Sequence, residues 1–282
     1  PDFSALTDAK VWLAAAGQIF FTASVELGLI ISYASYLKKD DDVALSSLSS
    51  ISINEFMEVV IGASIAIPAA FIFFGPIGIE EVAKGGAFNL GFVTMPMVFN
   101  QMPLAALLGF MWFLLLFLAG VTSSISMLQP AIAFLEDEFG LKRKQSVILL
   151  GLFTFIACQP AIFFLDKGVL DLMDFWAGTF AIVVFATGEI IIFSWIYGAD
   201  KGFEQLNHGA DIKVPSIFRI IIKYVTPMYL ITILVFWLMQ NWKNIAPNLS
   251  DPYALGTILG MLSLIAVLVV AVEIAWKRKG AQ

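Results

Sequence analysis

The stretch VWLAAAGQIFFTASVELGLIISYASYLKK (11–39) decides the fold class. From Val11 to Leu37 it carries a single side chain charged at neutral pH, Glu26, and it exceeds the roughly 20 apolar residues with which a helix crosses a bilayer core. Its middle nevertheless holds Gln18, Thr22, Ser24, Glu26 and Gly28. A carboxylate at the bilayer midplane is costly unless it faces a cavity or a partner. Glu26 therefore reads either as a functional group beside a cavity or as a protonated, hydrogen-bonded residue at a helix contact. Thr22-Ala23-Ser24 followed by Gly28 also marks a place where the helix can break and expose carbonyls, which a membrane tolerates only against protein or a cavity.

Outward from this stretch the pattern repeats. Uncharged or nearly uncharged runs at 44–74, 104–135, 145–165, 175–197, 216–240 and 253–276 bring the expected total to about seven transmembrane helices in an all-α membrane protein, with 1–282 read as a single membrane domain. The composition agrees, at 60% hydrophobic and 13% charged, far from the quarter charged typical of soluble domains. Between the runs lie KKDDD (38–42), a long Gly/Pro-rich loop (75–103), EDEFGLKRK (136–144), LDKGVLDLMD (165–174), a polar stretch at 198–215 and NWKNIAPNLSDP (241–252). A net charge of −6 argues against nucleic acid as a partner. No zinc spacing, phosphate loop, dinucleotide fingerprint or nucleophile elbow occurs, so an enzyme is not expected. Cys158 has no second cysteine to pair with. The chain opens Pro1-Asp2-Phe3 without Met.

Orientation follows from the basic residues, which are in excess in cytoplasmic loops. One alternate set of loops carries Lys38, Lys39, Lys142, Arg143, Lys144, Lys201, Lys213, Arg219, Lys223, Lys277, Arg278 and Lys279, and the other only Lys10, Lys84, Lys167 and Lys243, a split of 12 to 4 among 16. The C-terminus is expected in the cytoplasm of a cell with a plasma-membrane location, and the N-terminus outside. An outside N-terminus fits a short self-translocating tail or an odd number of missing preceding spans, and the Pro start favours the expectation of missing spans.

Further polar residues sit at membrane depth. Asn54 and Glu58 stand four apart on one helix face, an amide and a carboxylate suited either to a cation or to interhelical hydrogen bonding. In AGVTSSISMLQP (119–130), Ala119, Thr122, Ser123 and Met127 recur at three and four residues; hydroxyls and freed carbonyls are hard donors that suit Na⁺, although such stripes also line helix contacts. Glu189 is a second deep carboxylate, and Gly256-x-x-x-Gly260 is a small-residue packing motif.

At VWLAAAGQIFFTAS (11–24), ISYASYLKKDDD (31–42), NEFMEVVIGASIAIPAA (54–70), GGAFNLGFVTMP (85–96), FLAGVTSSISMLQPAIAFLEDE (117–138), MDFWAGT (173–179) and YGADK (197–201), the chain resembles the neurotransmitter:sodium symporters, sodium-dependent amino-acid transporters, and among them the bacterial leucine-transporter type. The match runs in family order from the sixth helix to the twelfth. The resemblance implies a partial inverted-repeat transporter fold of that type, lacking the first five helices.

By that resemblance, Phe21, Thr22, Ser24, Glu26 and Leu27 on the broken helix, with Ser123, Ser124 and Met127, would line a substrate pocket. Thr22 and Asn54 would serve one sodium site; Ala119, Thr122 and Ser123 would serve the other. Glu58 would replace the chloride that animal relatives recruit. Asp174 matches the acidic member of the outer gate, Asp137 and Tyr36 match parts of the inner gate, and Phe88 lies in the loop over the outer vestibule. Two departures stand out. Glu26-Leu27-Gly28 replaces the usual Gly-x-Gly, which puts a carboxylate at the first glycine. The first helix, with much of both sodium sites, is absent, as are the arginines that Asp174 and Asp137 would meet.

The implied function is the C-terminal half of a sodium-coupled transporter for a small amino acid or related amine, with Na⁺ at two sites and no organic cofactor. Its expected partners are membrane lipid, a chain or segment supplying the first five helices, the amino-acid substrate and a second copy in a homodimer. The alternative is a non-transporting scaffold subunit derived from a symporter half. A seven-helix receptor or light-driven pump shares the layout, but a retinal lysine is missing from the last span, where the first lysine is Lys277.

Overall fold

In a computed structural model, residues 3–24, 27–38, 40–84, 86–248 and 250–280 are described. Among the described residues, six helices are long and apolar enough to cross a membrane: α3 (Val43–Gly75), α5 (Ala105–Phe139), α6 (Arg143–Phe163), α7 (Val169–Asn207), α8 (Ile217–Trp242) and α9 (Pro252–Arg278). Each falls on an expected run, because in lipid only a helix satisfies its backbone internally. The expected run 11–37 instead forms two shorter helices, α1 (Ala9–Ala23) and α2 (Leu29–Ala34). The stretch 75–103, expected as loop, is largely helical. Gly75 (φ 69°, ψ −178°) interrupts the helix there, and a short apolar helix, α4 (Leu90–Phe99), follows. Ten residues at 1.5 Å each are too few to span.

The chain divides into two compact units, 1–45 with 128–282, and 46–127. The first has a core in which Ala9, Leu13 and Ala16 of α1 meet Val183 of α7 and Leu230, Ile233 and Trp237 of α8. The spacing of three and four turns one face of α1 inward. Phe175, Trp176 and Phe180 close around the Trp237 ring, with centroids 5.7, 6.2 and 4.9 Å from it. The Trp237 indole N–H is buried without a hydrogen-bond partner among the described residues. The start of α1 is fixed twice. The Asp8 carboxylate accepts from Lys10 N (2.9 Å), and Gln240 Oε1 accepts from Ala9 N (2.9 Å), so an N-cap and a side chain from α8 satisfy donors that a helix start leaves free.

In the second unit, α4 rests on the first half of α5. The Trp112 indole donates to Gly91 O (2.9 Å) and its ring meets Phe99 edge-on at 5.8 Å. Phe88 stacks on Phe92 at 4.7 Å, which in turn approaches Phe113 at 6.0 Å.

Several helices carry π-helical turns: Phe56–Gly62 in α3, Leu90–Thr94 in α4, Asp174–Ala181 and Ile192–Gly198 in α7, and Ile221–Val225 in α8. Such turns leave carbonyls free for other donors. The Trp195 indole uses one, donating to Lys223 O at 2.7 Å. Around Gly256 and Gly260, expected as a packing motif, no heavy atom beyond the adjoining backbone of their own helix stands within 4 Å of where a Cβ would be, among the described residues.

Candidate functional site

The break between α1 and α2 is built by two left-handed residues. Ser24 (φ 54°, ψ 29°) ends α1, its N–H returning to Phe21 O at 3.1 Å, and Gly28 (φ 70°) opens α2. A left-handed residue cannot continue a right-handed helix, so α1 stops at Ser24 and α2 begins anew at Gly28. Gly28 O is taken up by Ser32, whose N–H and hydroxyl donate at 3.0 and 3.1 Å. Gly28 lies against Pro130 of α5, where a Cβ would stand 3.4 Å from Pro130 Cβ. The break expected from Thr22, Ser24 and Gly28 is thus present, between an exposed Phe21 and a half-buried Leu27. Glu26 lies outside the described residues.

In the second unit, Ala119, Thr122, Ser123, Ser124 and Met127 occupy successive turns of α5 and are exposed. Thr122 Oγ1 donates to Leu118 O at 2.9 Å with Ala119 O 3.1 Å away, and Ser124 Oγ donates to Gly120 O at 2.7 Å. Each hydroxyl so bonded keeps oxygen lone pairs, and hydroxyl oxygens are hard donors of the kind that suit an alkali cation. Asn54 lies in the last turn of the α-helical part of α3, and Glu58 lies in the π-helical turn that follows.

Among the expected gate residues, Asp174 opens the π-helical turn of α7. Its carboxylate lies over Gly178, where a Cβ would be 2.8 Å from Oδ1. Tyr36 is 77% exposed and Asp137 is exposed. Phe88 is in a short helix, Gly86–Asn89, rather than a loop.

One group was not expected. The Asp42 carboxylate accepts from Leu45 N at the start of α3 and from Asp211 N in the α7–α8 connection, both at 2.8 Å. These two bonds, Leu45 first, hold its carboxyl below the usual carboxylate range. Beside it, a Cβ at Gly209 (φ 73°) would be 2.6 Å from Asp40 O. The DDD run in 40–42 showed charge, but nothing local named a partner 169 residues away.

A sequence model described as the sodium:neurotransmitter symporter family matches residues 1–279. The chain belongs to this family. Among relatives, an uncharacterized sodium-dependent transporter of Methanocaldococcus jannaschii is 33% identical over 84% of the chain and 48% of its own length. A sodium- and chloride-dependent glycine transporter 2 of Xenopus laevis is 28% identical over 86% of the chain and 31% of its length. A sodium-dependent serotonin transporter of Drosophila melanogaster is 26% identical over 85% of the chain and 39% of its length. The chain thus spans about half, or less, of the length of these relatives. Members of the symporter family are transporters rather than enzymes, and with six apolar helices of spanning length the chain is an integral membrane protein.

Proposed function

We propose that the chain is the C-terminal half of a sodium-coupled secondary transporter for a small amino acid or related amine, completed by a segment or chain that supplies the first five helices. The observation that carries this reading is the break at Ser24 and Gly28. Free backbone at membrane depth is tolerated where it lines a cavity, and broken helices of this kind hold substrate and ions near the midplane. In this reading Phe21, Thr22, Ser24 and Leu27 contact the substrate together with Ser123, Ser124 and Met127. Thr22 and Asn54 contribute to one sodium site, and Ala119, Thr122 and Ser123 to the other, with Na⁺ as co-transported substrate. Glu26, at the usual position of a glycine, biases the pocket toward polar or cationic side chains. Asp174 serves the outer gate, Asp137 and Tyr36 serve the inner gate, and Phe88 covers the vestibule. The N-terminus faces outside and the C-terminus the cytoplasm, as the basic residues favour.

Alternating access requires one repeat to move against the other around a shared site, so this chain alone accumulates nothing. Liposomes with an inward Na⁺ gradient test this directly. The isolated chain is expected to give no concentrative amino-acid uptake, and co-reconstitution with the first five helices is expected to give it. Concentrative uptake by the isolated chain overturns the need for the first half. Absence of sodium-dependent amino-acid binding in the completed protein favours a scaffold.

A further inference from the structure

Two connections remote in sequence lie against each other: 38–42 between α2 and α3, of which Lys39 lies outside the described residues, and 208–216 between α7 and α8. Each is closed on itself. In the first, Lys38 N donates to the Asp41 carboxylate at 2.8 Å and Asp41 N returns to Lys38 O at 3.2 Å. In the second, Asn207 donates from Nδ2 to Phe203 O at 2.9 Å and accepts from Val214 N at 2.8 Å, while His208 N donates to Gln205 O at 3.2 Å. The two backbones approach where Gly209 lacks the Cβ that would stand 2.6 Å from Asp40 O. Beside that approach, and beside the Asp42 bond to Asp211 N, His208 Nδ1 stands 3.9 Å from Asp40 Oδ1.

A separation of 3.9 Å is too long for a hydrogen bond, so the attraction is one of charge and exists only while the imidazole carries a proton. Imidazole is the side chain that ordinarily changes charge between pH 5 and 8, and His208 is the single histidine of the sequence. The charged groups on the packed segments are Lys38, Asp40, Asp41 and Asp42 on one side. On the other are Lys201 and Glu204 near the end of α7, Asp211, Lys213, and Arg219, which donates to Asp200 at 2.7 Å. The Asp42 carboxyl is held below the usual carboxylate range, by Leu45 N first and Asp211 N next, so it stays ionised across that interval and its two bonds persist. Between pH 5 and 8 the variable part of the joint is therefore the His208–Asp40 pair. Both side chains are well exposed, at 50% and 87%, and such a pair changes the population of a joined state by at most about fivefold.

We propose that His208 and Asp40 form a proton-operated strap that ties the α2–α3 connection to the α7–α8 connection in mild acid and releases it at alkaline pH. The element it restrains is α2. This half-helix has only six residues, begins at the left-handed Gly28 of the break, and runs through Ser35–Leu37 into the strapped connection. The freedom of the second half of the broken helix thereby depends on pH. Its meaning for transport rests on the function proposed above, whereas the strap itself stands on the geometry of the two connections.

Amide hydrogen exchange on the purified full chain in neutral detergent reads the strap without any transport. Rates at pH 5.5 and 8.0 are corrected for the intrinsic pH dependence of exchange. The informative amides are Asp211, which donates to Asp42, and Leu37, which donates to Ala34 O at 3.1 Å at the end of α2. Both are expected to be about two- to fivefold better protected at pH 5.5 than at pH 8.0, with Leu13 in the core unchanged. His208→Gln and Asp40→Asn should each show the lower protection at both pH values, and His208→Arg, a fixed cation, the higher protection at both. Equal protection at the two pH values in the unaltered chain overturns the strap. So does a pH dependence that survives in His208→Gln or His208→Arg, or a change of the same size at Leu13. The comparison on the unaltered chain stands even if a variant fails to fold.

Discussion

Gly17 of α1 faces Thr179 of α7 so closely that a Cβ on Gly17 would stand 3.3 Å from both Thr179 Cγ2 and the Thr179 carbonyl oxygen. The absence of a side chain here lets the helix that carries the break pack directly on the π-helical turn that begins at Asp174. An alanine fits if Thr179 yields by a few tenths of an ångström, and its helix propensity, better than that of Gly by about 1 kcal/mol, offsets the strain. A leucine cannot fit. Gly17→Ala is expected to leave the melting temperature nearly unchanged, whereas Gly17→Leu should destabilise by about 1–3 kcal/mol through overpacking. A tolerated leucine in thermal unfolding would show that the contact is not rigid.

Asp42 predicts a pH dependence. Its folded carboxyl titrates below the usual value because Leu45 N and Asp211 N donate to the ionised form. A group whose pKa is depressed on folding stabilises above its unfolded value, about 3.9, and that contribution is lost as pH falls through the folded value. Asp42→Asn should therefore melt below the unaltered chain at neutral pH, and the two curves should converge as the solution is acidified below about pH 4. A gap that persists in acid would assign the effect to packing.

The break itself predicts opposite effects at its two ends. Ser24 holds a left-handed conformation that costs a residue with a Cβ about 1 kcal/mol or more, so Ser24→Gly should raise stability by about that amount. Gly28 holds a left-handed conformation at no such cost, and Gly28→Ala should lower stability by about 1–2 kcal/mol. In the completed transporter, Ser24→Gly should nevertheless reduce sodium-driven uptake, since the hydroxyl is proposed to meet substrate. Uptake that rises with stability would remove Ser24 from the site.

Glu58 predicts independence from chloride. Asn54 and Glu58 are spaced four apart on α3, a separation that brings side chains within roughly 5–6 Å on a helix. Opposite charges at such a distance attract by about 3 kcal/mol at an effective dielectric near 20, worth about a hundredfold in cation affinity. With a fixed carboxylate beside Asn54, proposed above as a sodium ligand, a mobile anion is unnecessary. Uptake by the completed transporter is expected to be the same in chloride and gluconate, and to become chloride-dependent in Glu58→Ser. Unaltered protein that already requires chloride refutes the argument.

The spanning helices were legible because lipid imposes a local rule: about 20 apolar residues must pair their own backbone groups, and the count can be made along the chain. The place of the break was legible for a related reason, since Ser24 and Gly28 are polar or small residues in the middle of such a run, and the family motifs around them are contiguous in sequence. The helical character of 76–99 was hidden by its glycines and prolines, because Gly75 and Gly86 interrupt helices there without abolishing them. The π-helical turns carry no compositional mark, because whether a carbonyl accepts from i+4 or i+5 depends on what packs outside the helix. Tertiary structure alone decided which residues meet: Gly17 with Thr179, Asp42 with Asp211, Arg278 with Phe139. Hydropathy tells a residue only which solvent it prefers, and a partner more than a hundred residues away is chosen by shape and donor geometry that exist only once the helices are packed.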